Sequence, residues 1–76
     1  MEQQYVALWY GCDGVLGRTI LCKSWEEAVI QCIRIADENG EVMTDEQTGS
    51  VDEFGDCMFD TGCAVHIGGL ESPIEG

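Results

Sequence analysis

The sequence predicts an α+β domain, with a small antiparallel sheet of about four strands (two hairpins) and one main amphipathic helix packed on one face. Three observations predict it. A segment rich in β-favouring residues and divided by a glycine-containing turn lies near each end of the chain. Between these two segments, apolar residues recur at helical spacing. This order of elements is typical of helices gathered on one face of an antiparallel sheet.

The first hairpin is predicted over residues 5–22. Residues 5–10 are rich in aromatic and β-favouring types, Asp13-Gly14 is a strong hairpin-turn signal, and residues 16–22 suit the returning strand. The first strand is apolar on both faces, whereas a sheet with one hydrated face alternates apolar and polar residues. We therefore expect that either both faces are covered or one face meets a partner.

The main helix begins at Ser24-Trp25-Glu26-Glu27, a capping box in which Ser24 caps the Glu27 amide and the Glu27 side chain reaches back. Asn39-Gly40 supplies a left-handed stop. The apolar stripe between them consists of Trp25, Ala28, Val29, Cys32, Ile33 and Ala36. We expect Glu26, Glu27, Arg34, Asp37 and Glu38 on the exposed face, with Ile30 off the stripe and partly exposed.

Two shorter elements complete the prediction. Thr44-Asp45-Glu46-Gln47 is a second capping signature and predicts a short helix to about Phe54, although Gly49 and Ser50 weaken it and a loop is the alternative. Residues 57–59 are expected to pair with residues 63–67 around a three-residue turn. Residues 1–71 are assigned to one domain, and residues 72–76 to a frayed tail.

Charge is strongly segregated along the chain. The first 34 residues carry four acidic and three basic residues, a net charge of −1, whereas the remaining residues carry eleven acids and no base, a net charge of −11. Like charges repel in a compact state and lower its stability, so folding does not require this arrangement. A partner with a large positive surface would explain it.

Composition narrows the class of protein. No secretory signal and no apolar span of 18 residues is visible, so we expect a soluble cytoplasmic protein without membrane contact. The odd number of cysteines, five, favours reduced thiols that behave as small hydrophobic side chains. Because phosphate affinity comes from Lys and Arg, the acidic balance opposes direct nucleic-acid binding.

The residue patterns do not favour catalysis or a cofactor. Zinc sites use closely spaced Cys or His pairs; no CxxC occurs, and strand parity sends Cys63 and His66 to opposite faces. A cysteine nucleophile needs a histidine base and positive surroundings, which this chain does not offer. The glycine of a calcium-binding EF-hand loop cannot be placed with its oxygen ligands. We therefore expect no enzyme activity, no metal and no cofactor.

The acidic segment has two interpretations. The first is that charge runs are usually solvated faces that aid solubility. Halophilic adaptation would also give an acid-rich chain, but it predicts acids over the whole surface, whereas the first 34 residues are almost neutral. The functional interpretation is that the carboxylates imitate the negative charges of DNA and attract a protein whose groove is built of Lys and Arg. The predicted partner-binding residues are Asp37, Glu38, Glu41, Asp45, Glu46, Asp52, Glu53, Asp56 and Asp60.

At this point the chain resembles the small acidic inhibitors of phages and mobile elements, including anti-CRISPR proteins and other DNA mimics. The segments that carry the resemblance are Ser24-Trp25-Glu26-Glu27-Ala28, the base-free run from Asp37 to Asp60, and the closing strand Ala64-Val65-His66-Ile67-Gly68. The resemblance implies inhibition without catalysis, by occupying the DNA- or RNA-binding surface of a host nuclease or CRISPR effector complex.

Two other hypotheses remain open. The chain could be a protein-interaction module that uses an apolar sheet face with Tyr5 and Trp9, through homodimerisation or insertion into a partner groove. It could also be a metal or redox protein that uses its cysteines, which thiol titration and metal analysis would decide.

Overall fold

The structure, a computed structural model, describes residues 4–70. It contains one four-stranded antiparallel sheet and two helices, which confirms the α+β class. The elements in chain order are β1 (Gln4–Tyr10), β2 (Leu16–Cys22), α1 (Trp25–Glu38), α2 (Asp45–Phe54), β3 (Asp56–Met58) and β4 (Ala64–Leu70). The short second helix is thus confirmed over the loop alternative. The tail expected over residues 72–76 lies outside the described residues.

The two hairpins join through their long strands, and the strand order is β2-β1-β4-β3. β1 is paired with β2 on one side and with β4 on the other, where Ala7 lies opposite Ile67 and Trp9 opposite Val65. Sequence patterns predict each hairpin but not this long-range pairing. A bulge at Gly17 interrupts the β1–β2 register, since Trp9 is paired with Arg18 and Tyr10 with Leu16.

Helix α1 begins and ends much as its sequence predicts. The Ser24 hydroxyl accepts a hydrogen bond from the Glu27 amide at 3.1 Å. The Glu27 carboxylate, however, accepts from the Lys23 amide rather than from that of Ser24, so the expected capping box is completed one residue earlier. At the other end, the Glu41 amide donates to the Ala36 carbonyl and the Gly40 amide to the Asp37 carbonyl, which is a Schellman stop.

The core lies between the sheet and both helices. From α1 it takes most of the predicted stripe and also Ile35, which the stripe omitted and which is 1% exposed. Ile30 is 54% exposed, as expected. Helix α2 contributes Val51, and its full capping box joins Thr44 and Gln47. The sheet contributes Ala7, Trp9, Ile20, Cys22, Cys57, Val65 and Ile67.

Trp25 connects three elements. Its indole Nε1 donates to the Asp52 carbonyl at 2.8 Å, near the end of α2. Its ring lies against Gly55, where an added Cβ would be 2.8 Å from the nearest ring carbon. Gly55 ends α2 with φ of 79° and accepts a hydrogen bond from the Ile67 amide of β4. The start of α1, the end of α2 and β4 therefore meet at one point.

The prediction that Tyr5 and Trp9 lie on a free apolar face of the sheet is wrong. Both residues face the helices: Tyr5 packs edge-to-face against Trp25 with ring centroids 5.6 Å apart, and Trp9 is 6% exposed beside Phe59. Alternation in β1 defines two faces, but because both are apolar it does not say which one the helices cover. The large aromatic rings fill the deeper space beneath the helices.

The opposite side of the sheet, here called the open face, is not covered by either helix. From the register it includes Gln4, Val6, Leu8, Tyr10, Leu16, Thr19, Leu21, Asp56, Met58, Ala64, His66 and Gly68. Leu16, Leu21 and Met58 are 49%, 64% and 77% exposed. Within the described residues, this face carries one carboxylate and one imidazole.

Two glycines of α2 should respond oppositely to alanine. Gly49 lies within the helix, and a Cβ added there would have no neighbour within 4 Å beyond the helix's own backbone, so Gly49→Ala should raise the free energy of unfolding by about 0.5–1 kcal/mol. Gly55→Ala should lower it by at least about 1–2 kcal/mol, because it forces a left-handed residue and displaces Trp25. Urea denaturation of both variants measures the difference. Equal effects would contradict the assigned packing.

Candidate functional site

The nine acids predicted to bind a partner all lie on the surface. Eight are exposed and Glu41 is half-buried. Glu41 Oε2 accepts a hydrogen bond from the Thr61 hydroxyl at 2.6 Å, which holds the α1–α2 link against the β3–β4 turn. Asp60 is therefore close to Glu41, although it lies far from Glu41 along the chain.

The fold converts the segregation along the chain into two sides of the molecule. Arg18 and Lys23 lie in or next to edge strand β2, and Arg34 lies on α1. Arg18 forms an ion pair of 2.6 Å with Glu38, so part of the negative charge of α1 is compensated. The other side, here called the acidic side, is formed by the link, α2, β3 and the β3–β4 turn. It carries no base, and its acids are Glu41, Asp45, Glu46, Asp52, Glu53, Asp56 and Asp60.

Helix α2 presents four of these acids on one face. At about 100° per residue, Asp45 and Asp52 lie almost in line, as do Glu46 and Glu53, and the two lines are adjacent. Gly49 lies between them, and Val51, which is buried, lies on the opposite side of the helix. The four carboxylates, here called the α2 stripe, therefore point away from the core.

The helix termini separate acids that help folding from acids that oppose it. Asp45 and Glu46 lie in the first turn of α2, where the helix dipole favours negative charge. Asp52 and Glu53 lie toward its C-terminal end, where each carboxylate is disfavoured by about 0.3–1 kcal/mol, and no basic residue occupies the last turn. The last turn of α1 likewise contains acidic residues and no basic residue. These positions are not explained by helix stability.

The positions of Asp56 and Asp13 change the predicted set of partner-binding acids. Asp56 lies on the open face opposite His66, so it is directed away from the α2 stripe on the other side of the sheet. Asp13, which the division at residue 34 left out, lies in the β1–β2 turn and accepts a hydrogen bond from the Val15 amide. This turn touches the β3–β4 turn at Cys12 and Gly62, so Asp13 and Asp60 share one end of the molecule. The antiparallel pairing of β1 with β4 brings the two turns, and with them Asp13 and Asp60, to the same end of the molecule.

The cysteines are free thiols and occupy different environments. Cys22, Cys32 and Cys57 are buried, Cys63 is half-buried and Cys12 is exposed. Burial, with a smaller effect of neighbouring Cys22, raises the pKa of the Cys32 thiol to about 12. Burial also raises the pKa of Cys22 and Cys57, and the Glu27 and Asp56 carboxylates add to this. These three thiols are therefore poor nucleophiles at neutral pH.

Clusters that could bind a metal are not found. Among residues 4–70, no group of three or more His, Cys, Asp or Glu side chains is placed to hold a metal ion. Cys63 precedes β4, and the alternation of β4 directs His66 to the open face while Val65 and Ile67 enter the core. The exposed carboxylates thus remain the main chemical feature of the surface.

Comparisons of the chain with protein-family models, curated proteins and solved structures find no match in any of the three. Neither of the helices described between residues 4 and 70 has the length and apolarity needed to cross a membrane. The case for a function therefore depends on the surface itself.

The raised thiol pKa values lead to a pH dependence of stability. The native Cys32 keeps its proton between its ordinary pKa of 9.0 and about 12, while the unfolded chain releases it. The contribution is complete below pH 9 and is lost as pH rises toward 12, by about 1.4 kcal/mol per pH unit for one thiol. Urea denaturation under reducing conditions from about pH 8 to about pH 10.5 should show this decline.

Cys32→Ala is the control, because it should make the decline shallower while leaving the other titrating groups in place. An unchanged slope in this variant would contradict the assigned environment of Cys32. Alkylation at about pH 8 provides a second measurement, in which Cys12 should react before any of the three buried thiols.

Proposed function

We propose that this protein is a non-catalytic acidic inhibitor that occupies the basic nucleic-acid-binding surface of a host protein complex, as DNA mimics and anti-CRISPR proteins do. It would act in the cytoplasm of the host cell. The observation that supports this proposal is the acidic side, on which six carboxylates besides Asp56 of the open face lie without a base among the described residues. A cationic groove would be attracted to this side and not to the β2 edge, where Arg18 and Lys23 lie.

The spacing of the α2 stripe favours one kind of mimicry. Ten helical residues span about 15 Å, so four carboxylates give about one charge per 4 Å of axis. Duplex DNA presents about one charge per 1.7 Å, and each of its strands about one per 3.4 Å. The stripe therefore approaches the density of a single strand, and its partner would be a protein that grips one strand of DNA or RNA.

The cost of the arrangement also supports a role in binding. A stripe needed only for solubility could include lysines, which would pair with acids along the helix and favour its C-terminal end. Asp52 and Glu53 occupy positions where a base would stabilise α2. Retaining acids there is expected if the charge serves a partner.

Gly49→Lys tests the proposal without weakening the fold. The new ammonium would lie three or four residues from all four acids of the α2 stripe, so it should stabilise α2 by pairing while reducing the field of the stripe. We expect this variant to unfold at higher urea concentration than the native protein and to bind a cationic partner at least about tenfold more weakly. Gly49→Ala is the matched control: it also stabilises α2, but it leaves the charge and the binding unchanged.

Binding can be measured by displacement of a fluorescent single strand of about 20 nucleotides from purified CRISPR effector complexes and single-strand-binding proteins. The native protein and Gly49→Ala should displace it, and displacement should weaken steeply between about 50 and about 300 mM NaCl because screening shortens the range of attraction. The double variant Asp52→Lys with Glu53→Lys should be inactive while remaining folded. Equal displacement by the native and lysine variants, or displacement that ignores salt, would refute the proposal.

A further inference from the structure

We propose that the open face is the contact surface for a second copy of this chain, so that two sheets pack face to face between outer layers of helices. The open face carries apolar side chains on all four strands, and neither helix covers it. Leu16, Leu21 and Met58 lie at its margins and are largely exposed, whereas Val6, Leu8 and Tyr10 form its centre. Exposed apolar patches of this kind mark interaction sites.

The distribution of charge favours a second copy as the occupant. Each chain carries a net charge of −12, so two copies repel through most approaches. Among the described residues of the open face, only Asp56 and His66, which are adjacent on β3 and β4, can carry a charge near neutral pH. The helices, with the α2 stripe, lie on the opposite side of the sheet. Face-to-face packing therefore brings two acidic chains together with the carboxylates of their α2 stripes far apart.

Shape favours one orientation of the two copies. Ala64 is paired with Tyr10 on one side and Met58 on the other, and this small residue between two large ones leaves a hollow of about 440 Å³. Leu16 lies in the same cross-strand row, on β2. A twofold axis parallel to the strands would place β2 of each copy over β3 of the other and β1 over β4, so that Tyr10 would lie above Ala64 of the other copy and Leu16 above its Met58.

The same orientation reduces repulsion further. It sets the β2 edge, which Lys23 directly follows, beside the acidic β3 edge of the other copy. Aligned sheets pack about 10 Å apart with strand directions within about 30°, so this arrangement is an ordinary sandwich of two sheets.

The area of the open face sets the expected affinity of the dimer. Three strands of seven residues and one of three cover a footprint of about 390 Å² on each copy, from the usual strand spacing and rise. Such an interface belongs to the weak, reversible class, and we expect a dimer with Kd of about 10–100 μM. Because the two chains repel, added salt should strengthen the dimer.

Sedimentation equilibrium of the full chain from about 2 to about 500 μM, at about 20 and about 300 mM NaCl, tests the proposal. Leu21→Lys and Met58→Lys should each weaken the dimer at least about tenfold, since an ammonium would lose its water in an apolar interface. The matched controls are Ile30→Lys and Val42→Lys, which change comparably exposed apolar residues away from the open face. They should leave the Kd within about twofold of the native value.

The test of the dimer and the test of the acidic side can succeed or fail independently. All four substitutions lie at residues at least 54% exposed, so circular dichroism should show each variant folded. A native chain that stays monomeric across the whole concentration range at both salt concentrations, or a dimer that Leu21→Lys and Met58→Lys leave intact, would overturn the proposal. Salt strengthens this dimer but weakens capture of a cationic partner, so the failure of one proposal does not imply failure of the other.

Discussion

The contact between Trp25 and Gly55 is the constraint on which the rest of the structure depends. The indole fills the space above a glycine whose left-handed backbone ends α2, and its N–H group binds the carbonyl of Asp52. Gly55 in turn accepts a hydrogen bond from β4. One side chain thus joins the start of α1 to the end of α2 and, through Gly55, to β4. A larger residue than glycine at position 55 would separate them.

This contact also decides where the charge lies. With α1 held over the centre of the sheet, α2 packs beside it toward β3 and β4. The base-free half of the sequence then forms one side of the molecule, while Arg18 and Lys23 lie at the opposite β2 edge and Arg34 on the outer face of α1. In a fold that interleaved the two halves, the same residues would give a mixed surface. The acidic side is therefore a product of hairpin order as well as composition.

Two surfaces with different physical character result from a single layer of helices. The helices cover one face of the sheet and carry the acids outward, which leaves the other face apolar and almost uncharged. A domain of this size buries only about 60% of the surface that its unfolded chain exposes, so an uncovered face is consistent with its size. Salt weakens electrostatic attraction to the acidic side but strengthens apolar association through the open face. The salt dependence of binding therefore distinguishes the two surfaces.

Local patterns in the sequence determined the elements of this protein. Ser24 and Thr44 cap their helices, Asn39-Gly40 ends α1, and the alternation in residues 63–67 separates buried from exposed side chains in β4. These signals depend on residues a few positions apart, so they can be recognised without the fold. The exposure of the predicted acids followed from their charge in the same way.

Only the tertiary structure decided which faces and edges meet. Because β1 is apolar on both sides, its pattern could not show that Tyr5 and Trp9 are covered while Val6, Leu8 and Tyr10 face outward. Nor could it place Asp13 beside Asp60, or direct Asp56 away from the α2 stripe. These relations arise from the pairing of β1 with β4, which joins residues about 54 to 66 positions apart. Short-range sequence periodicity contains no information about contacts over such separations.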